Sequence, residues 1–325
     1  MTTRLEFTRQ TRLGCTARIR AFLIAVAFVP IFLAGRARPT LAQESGDARW
    51  TAIASALGRT GETEDGYYRV TFPRRDLTVR IGDHTLEPAF ELTTYFAFVP
   101  TRAGQALCMG ELVLLQDEVN GVLEEARRQG VEIPALHNHL IGEEPRILYV
   151  HVMASGPAST LGARLRALVA RTATPTGPAQ ESGGAEASQK AAWAPVSASL
   201  GEPEEVEGQT AEWTFPRLEP ITEAGVAVRS SGALETASEV VFQQLSGGQA
   251  ATTGEAFLSP DEVTPVTHAL EAGGIHVTAI HTHMLHETPR LYWLHWYGRG
   301  DPGTLARTIR TALGHTRSRM PGARQ

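Results

Sequence analysis

"GELVLLQDEVNGVLEEARRQGVEIPALHNHL" (residues 110–140) and "GEAFLSPDEVTPVTHALEAGGIHVTAIHTHM" (residues 254–284) align without a gap at an offset of 144. Self-similarity over such a length means that one supersecondary unit is used twice. The alignment continues unbroken to Arg166 and Arg310. Upstream, "VTFPRRDL" (70–77) pairs with "WTFPRLEP" (213–220), and "RWTAIASALG" (49–58) with "AWAPVSASLG" (192–201), at an offset of 143. The chain therefore divides into a first repeat domain at 48–171, a Gly/Pro/Ser/Ala-rich linker at 172–188, a second repeat domain at 189–316 and a basic tail at 317–325. Nothing periodic holds the linker or the tail, and the tail is expected to fray.

Each unit opens on a short helix carrying Trp50 or Trp193, followed in the first copy by strands around "YYRVTF", "LTVRIG", "TYFAFVP" and "ALCMGELVLL". A helix then starts near Asp117–Glu118, where acids suit the positive helix end. Its counterpart starts at Ser259–Pro260, a capping residue followed by a first-turn proline. Gly130 and Gly274 supply the left-handed ends. Two strands and a last helix, from about Ser159, complete a β-α-β-β-α order. The fold class is α+β: two homologous domains, each an antiparallel sheet with helices on one face, like a ferredoxin-like layer.

Histidine is concentrated at one place in each unit: "ALHNHLIGEEPRILYVH" (135–151) and "AIHTHMLHETPRLYWLH" (279–295). On a strand, His137 and His139 leave the same face, and so do His281 and His283. A hairpin centred near Glu144 places His151 opposite His137 and Tyr149 opposite His139. The same count places His295 opposite His281 and Trp293 opposite His283. Leu136, Leu140, Leu148, Val150 and Val152 then share the other face, as do Ile280, Met284 and Leu294. Cross-strand neighbours at ~5 Å let imidazoles converge on one ion. His137, His139 and His151 with Glu143, and His281, His283 and His295 with Glu287, are thus candidate metal ligands. A nitrogen-rich set without thiolate suits Zn or another transition metal (Mn, Fe, Cu or Ni) better than Ca or Mg. Such an ion could simply be bound, or could activate water for hydrolysis.

Two other readings fit the same residues. A metal-free pocket could use Arg146, Tyr149, Arg290 and Trp293, with Tyr297, to hold a sugar or peptide. Alternatively, the histidines form a structural cluster between the copies, with Arg146 and Arg290 paired to adjacent turn acids. Retention of all three histidines, the glutamate and Pro-Arg in both copies favours function. The remaining histidines, among them His84, His276, His286 and His315, carry no such pattern. "HNH" at 137–139 lies within one strand and is not a nuclease signature.

Composition bounds the setting. Arg4, Arg9, Arg12, Arg18 and Arg20 precede the apolar run "AFLIAVAFVPIFLAG", and Thr40-Leu41-Ala42 follows. That order is expected of a signal peptide at residues 1–42, and so of an exported protein, periplasmic or extracellular. Those residues hold seven Arg and one Glu, so their removal takes the net charge from −5 to −11. So acidic a chain is a poor nucleic-acid binder, and no later segment is apolar enough to cross a membrane. Cys15 leaves with the signal. Cys108 is then the only cysteine, is expected to be buried, and has no partner for a disulfide.

"MGELVLLQDEVNGVLEEARRQGVEIPALHNHLIGEEPRILYVHV" (109–152), with "FPRRDLTV" (72–79), resembles the LppY/LpqO family of exported bacterial proteins, a domain of unknown function. The resemblance covers both copies and is closer in the first; the second has Thr282 where the first has Asn138. It implies export and this domain, and no reaction or catalytic residue.

Overall fold

The computed structural model describes residues 48–102, 104–178 and 187–321. The expected signal peptide, residues 1–42, lies outside them. The first repeat builds a six-stranded antiparallel sheet from Glu62–Glu64 (β1), Tyr67–Pro73 (β2), Thr93–Pro100 (β3), Gln105–Leu115 (β4), Leu136–His137 (β5) and Ile147–Pro157 (β6), in the order β1-β2-β3-β4-β6-β5. The second repeats it with Glu205–Glu207 (β7), Thr210–Pro216 (β8), Ala237–Gln244 (β9), Ala250–Leu258 (β10), His276–His281 (β11) and Tyr292–Gly300 (β12), in the order β7-β8-β9-β10-β12-β11. The main helices are Ala48–Leu57 (α1), Val119–Gln129 (α2), Ala158–Val169 (α3), Ala194–Leu200 (α4), Pro260–Ala272 (α5) and Pro302–Leu313 (α6), and a single helical turn, Ala187–Ala191, precedes α4. Because β6 lies between β4 and β5, the crossover helix α2 belongs to a split β-α-β unit. The α+β class and the duplication are as the sequence predicts, and both copies fall within one compact unit, Ser45–Gln325.

Period-2 alternation explains the layering. On β3, Phe96 and Phe98 join Val122 and Ala126 of α2 and Leu161 and Leu165 of α3, while Tyr95, Ala97 and Val99 face the other way. Both faces are buried, so the strand reads as a continuous apolar run. The inward set packs against the second repeat: Tyr95, Ala97, Met109 and Met153 meet Leu234, Phe257, Met284 and Trp293. A reciprocal cluster joins Val79, Leu86, Phe90 and Tyr149 to Val241 and Ala251. The helices are thus on the outside and the two sheets meet face to face.

A buried arginine anchors each unit. Arg74 donates to Asp76 and Glu118, and Arg217 to Glu219 and Glu262, with both guanidinium groups fully buried. Glu118 and Glu262 stand at the starts of α2 and α5, so each ion pair ties a helix start to the end of β2 or β8. Ser259 is the N-cap of α5, as the sequence predicts, and Glu262 accepts from its backbone N–H; Gly130 is left-handed at φ 61°. Cys108 is buried in the helix-facing core, which pushes its thiol pKa up. The tail is tied down through Pro321: Ser318 bridges to Arg217, and Met320 packs on the second core.

The hairpin register differs from the expected one by two residues. His137 pairs with Tyr149 rather than His151, and His281 with Trp293 rather than His295. The return is not a tight turn. Glu143–Glu144 leaves the hairpin to pair with Arg80–Ile81, and Glu287–Thr288 with Ile221–Glu223, in small separate sheets. A shift of two preserves the faces, whereas a shift of one would invert them. Past the paired residues alternation fails. Leu140 and Met284 turn to the inter-repeat side, and Leu136 and Ile280 are exposed instead of packed.

Candidate metal centre

The inward face of the first sheet carries one polar row across three strands, Tyr95–Glu111–His151, each residue directly opposite the next. The second sheet carries Glu239–Glu255–His295 in the same places. His137 and His281 lie beside these rows on β5 and β11. His139 and His283 follow just past the paired strands, where Asn138 Nδ2 donates to Thr278 O at 3.1 Å and joins the two edges. Face-to-face packing thus brings all six histidines into one cluster. His137 and His281 meet on the pseudo-twofold, ring centroids 3.4 Å apart. His139 lies 3.9 Å from His295, and His151 lies 3.7 Å from His283, a symmetric exchange of partners.

Aromatic side chains set the ring planes. Tyr149 stacks on His139 at 3.6 Å, and Trp293 on His283 at 4.1 Å, with Trp293 Nε1 donating to Glu235 O. Both aromatics are fully buried. Arg146 and Arg290 remain about half exposed, beside Glu143 at 3.5 Å and Glu287 at 2.8 Å. Glu143 and Glu287 are buried but accept from the backbone of Ile147 and Leu291 in their own turns. Neither belongs to any metal-capable His/Glu group among the described residues.

Four such groups occur, each with donor atoms within 4.8 Å of one another. Two are all-imidazole: His137, His281, His283 and His295, and His137, His139, His151 and His281. The others are Glu91, His139 and His295, and Glu235, Glu255 and His283. His295 Nε2 and His281 Nε2 face each other at 2.8 Å. Both ring nitrogens of His137, His283 Nε2 and His295 Nδ1 are buried with no hydrogen-bond partner. Burial depresses His281 to about 2, with His151 and His139 adding to the effect, and it also drives His137, His283 and His295 far down. These rings are neutral, and their buried nitrogens without hydrogen-bond partners cost free energy unless an ion satisfies them.

The four carboxylates went unrecognised in the sequence. Glu111 Oε2 contacts His151 at 2.9 Å and His139 at 3.2 Å, while Glu91 Oε2 meets His139 Nδ1 at 2.6 Å. Burial disfavours a proton on His139, but Glu111 and Glu91 outweigh it and push the pKa up to about 10. Burial would likewise raise Glu111; His139 and His151 instead hold it well below the usual range. In the second repeat, Glu255 lies 3.5 Å from His283. Burial, then Glu235 and Glu239, drive Glu255 well up. The signal for Glu111 and Glu255 was an acid repeated at the same place inside an apolar strand. Glu91 and Glu235 also share the offset of 144, and both adopt left-handed backbone, φ 69° and 50°.

Comparison with solved structures finds the double-ringed trimeric shell protein MSM0271 from the RMM microcompartment, 14% identical over 66% of this chain and 85% of that chain, TM-score 0.18. It also finds the trimeric bacterial microcompartment shell protein PduB, 12% identical over 78% and 89%, TM-score 0.21. TM-scores this low establish no shared architecture. No curated protein matches the sequence. The family model described as Domain of Unknown Function (DUF1259) matches residues 51–171 and again 194–315. Those two matches take in well over half of the chain and follow the structural repeats, so the protein belongs to this family and carries its domain in tandem.

Proposed function

We propose that the two repeats jointly bind a transition-metal ion at their interface, with His137, His139, His151, His281, His283 and His295 as the ligand pool. The observation that carries this reading is the pair of buried four-imidazole groups, with donor atoms within 4.8 Å and buried nitrogens left without partners. Four protein nitrogens saturate a tetrahedral ion, so binding is favoured over hydrolysis, which needs an open position. Imidazole suits Zn, Cu, Ni and Fe, while Mn prefers oxygen ligands and is the weakest of the five candidates here. The reading places the protein outside the cytoplasm by way of residues 1–42. It also includes the narrower kinship with LppY/LpqO proteins suggested by the 109–152 stretch.

Elemental analysis of the purified full chain, before and after incubation with each ion, tests it. The expected result is bound metal that falls to background in H137A/H281A, because both four-His groups contain those two residues. Absence of metal and of any thermal shift with all five ions ends the reading. An unchanged stoichiometry in the double variant moves the ion elsewhere.

A further inference from the structure

Between the sheets lies a cavity of about 500 Å³ whose lining includes eleven glutamates against three arginines. Glu91, Glu111, Glu235, Glu239 and Glu255 stand where it approaches the histidines, with His139 in the same wall. Three arginines cannot pair with eleven carboxyl groups, and Arg75 is already beside Glu207 at 3.2 Å. Arg69 meets Glu235 at 3.2 Å but also donates to the carbonyls of Gly232 and Ala233. Glu239 and Glu255 are direct cross-strand partners. Like charges so placed repel at ~5 Å, and buried carboxylates normally require a counter-charge.

Two further atoms are directed at the same point. Glu255 is only 5% exposed, lines the cavity, and its Oε1 has no partner. His283 is 3% exposed and its Nε2, 3.5 Å from Glu255 Oε2, makes no hydrogen bond. Their donor atoms and that of Glu235 lie within 4.8 Å of one another. The equivalent trio in the first repeat is closed on itself, because His139 contacts both Glu91 and Glu111. There, Tyr95 occupies the position that Glu239 holds in the second repeat.

We propose that Glu235, Glu255 and His283 form a second cation site at the cavity wall, distinct from the all-imidazole centre, which takes a hard divalent ion such as Mn²⁺. Two carboxylates and one imidazole suit an oxygen-preferring ion. The cavity supplies room for its remaining waters, and its acidic lining concentrates cations. The carboxylates of Glu235 and Glu255 balance the two positive charges of such an ion. The site shares His283 with the all-imidazole centre but does not require that centre to be filled.

Mn²⁺ titration followed by the EPR signal of the free ion tests this in the full chain, in H137A/H281A, and in H137A/H281A carrying Glu255→Gln or Glu235→Gln. H137A/H281A should still bind one Mn²⁺. Either glutamine should weaken that binding at least about tenfold, since ligand charge sets affinity at oxygen sites. Each variant is read only with an unchanged far-UV circular dichroism spectrum, and either glutamine variant suffices. Loss of all Mn²⁺ in H137A/H281A would assign the ion to the imidazole centre and overturn this site, leaving the proposed function standing. Unaltered affinity in both glutamine variants would overturn it too. Retention in H137A/H281A with loss on Glu255→Gln supports the site even if the imidazole centre proves metal-free.

Discussion

The trios Glu91–Glu111–His139 and Glu235–Glu255–His283 occupy equivalent places, 144 residues apart, and behave in opposite ways. In the first, His139 lies 2.6 Å from Glu91 and 3.2 Å from Glu111, and His139 and Glu111 stabilise each other's charged forms. In the second, the imidazole stands 3.5 Å from Glu255 and is driven neutral, while burial and nearby acids raise Glu255. One cross-strand neighbour accounts for much of this. Tyr95 faces Glu111, whereas Glu255 is faced by a second carboxyl, Glu239, itself pushed well up by burial and then by Glu212. Duplication preserved the shape of the site, and a change at one strand position altered the electrostatics of one copy.

The largest expected effect separates the two carboxylates. At pH 7 without metal, Glu111→Gln leaves His139 short of a buried partner and should cost about 3–5 kcal/mol. Glu255→Gln replaces a carboxyl that burial already disfavours as an anion and should change stability by less than about 1 kcal/mol. Equal losses in denaturant unfolding would erase the distinction.

Glycine substitutions should differ next. A Cβ at Gly110 would lie 2.6 Å from Tyr95 O, and one at Gly254 would lie 2.2 Å from Glu239 O, with φ at +150°. Both alanine variants should lose about 1–3 kcal/mol, with Gly254→Ala the worse. The reverse order of unfolding midpoints would show that the second sheet yields more easily there.

The smallest effect is in pH dependence. Glu235 is raised to about 8, by burial first and then by Glu111. The folded chain therefore holds a proton that the unfolded chain has released, and stability contributed by this group declines as pH rises from 4.5 to 8. The Glu235→Gln variant should show a shallower decline than the parent across that window. His139 acts in a different window. Its pKa is raised to about 10, so its stabilisation is complete below pH 6.5 and disappears as pH rises through about 10. An identical slope in parent and Glu235→Gln between pH 4.5 and 8 would show that Glu235 titrates as it does when unfolded.

Much of the centre was legible in the sequence because strands alternate. His137, His281 and their neighbours could be assigned to one face from spacing alone, and that assignment survived a register shift of two. The position of the turn acids was not legible. Glu143 and Glu287 follow the histidines closely in sequence, but the chain leaves the sheet there and their carboxylates are taken up by local backbone. Glu111 and Glu255, far from the histidines in sequence, lie directly across the strand from His151 and His295. The acids that touch the histidines are signalled by a lone acid in an apolar strand, whereas the turn acids bond locally.

The sequence by itself determined the duplication, the α+β class, the helix ends and the face shared by His137, His151, His281 and His295. These are set by local geometry: a period of two along a strand, capping at helix termini, and a constant offset between copies. The tertiary structure alone decided that the two histidine faces meet, that His139 pairs with His295 and His151 with His283, and that four glutamates join them. Those contacts arise from packing one sheet on another, where distance depends on how side chains from remote strands interlock, and no interval along the chain encodes it.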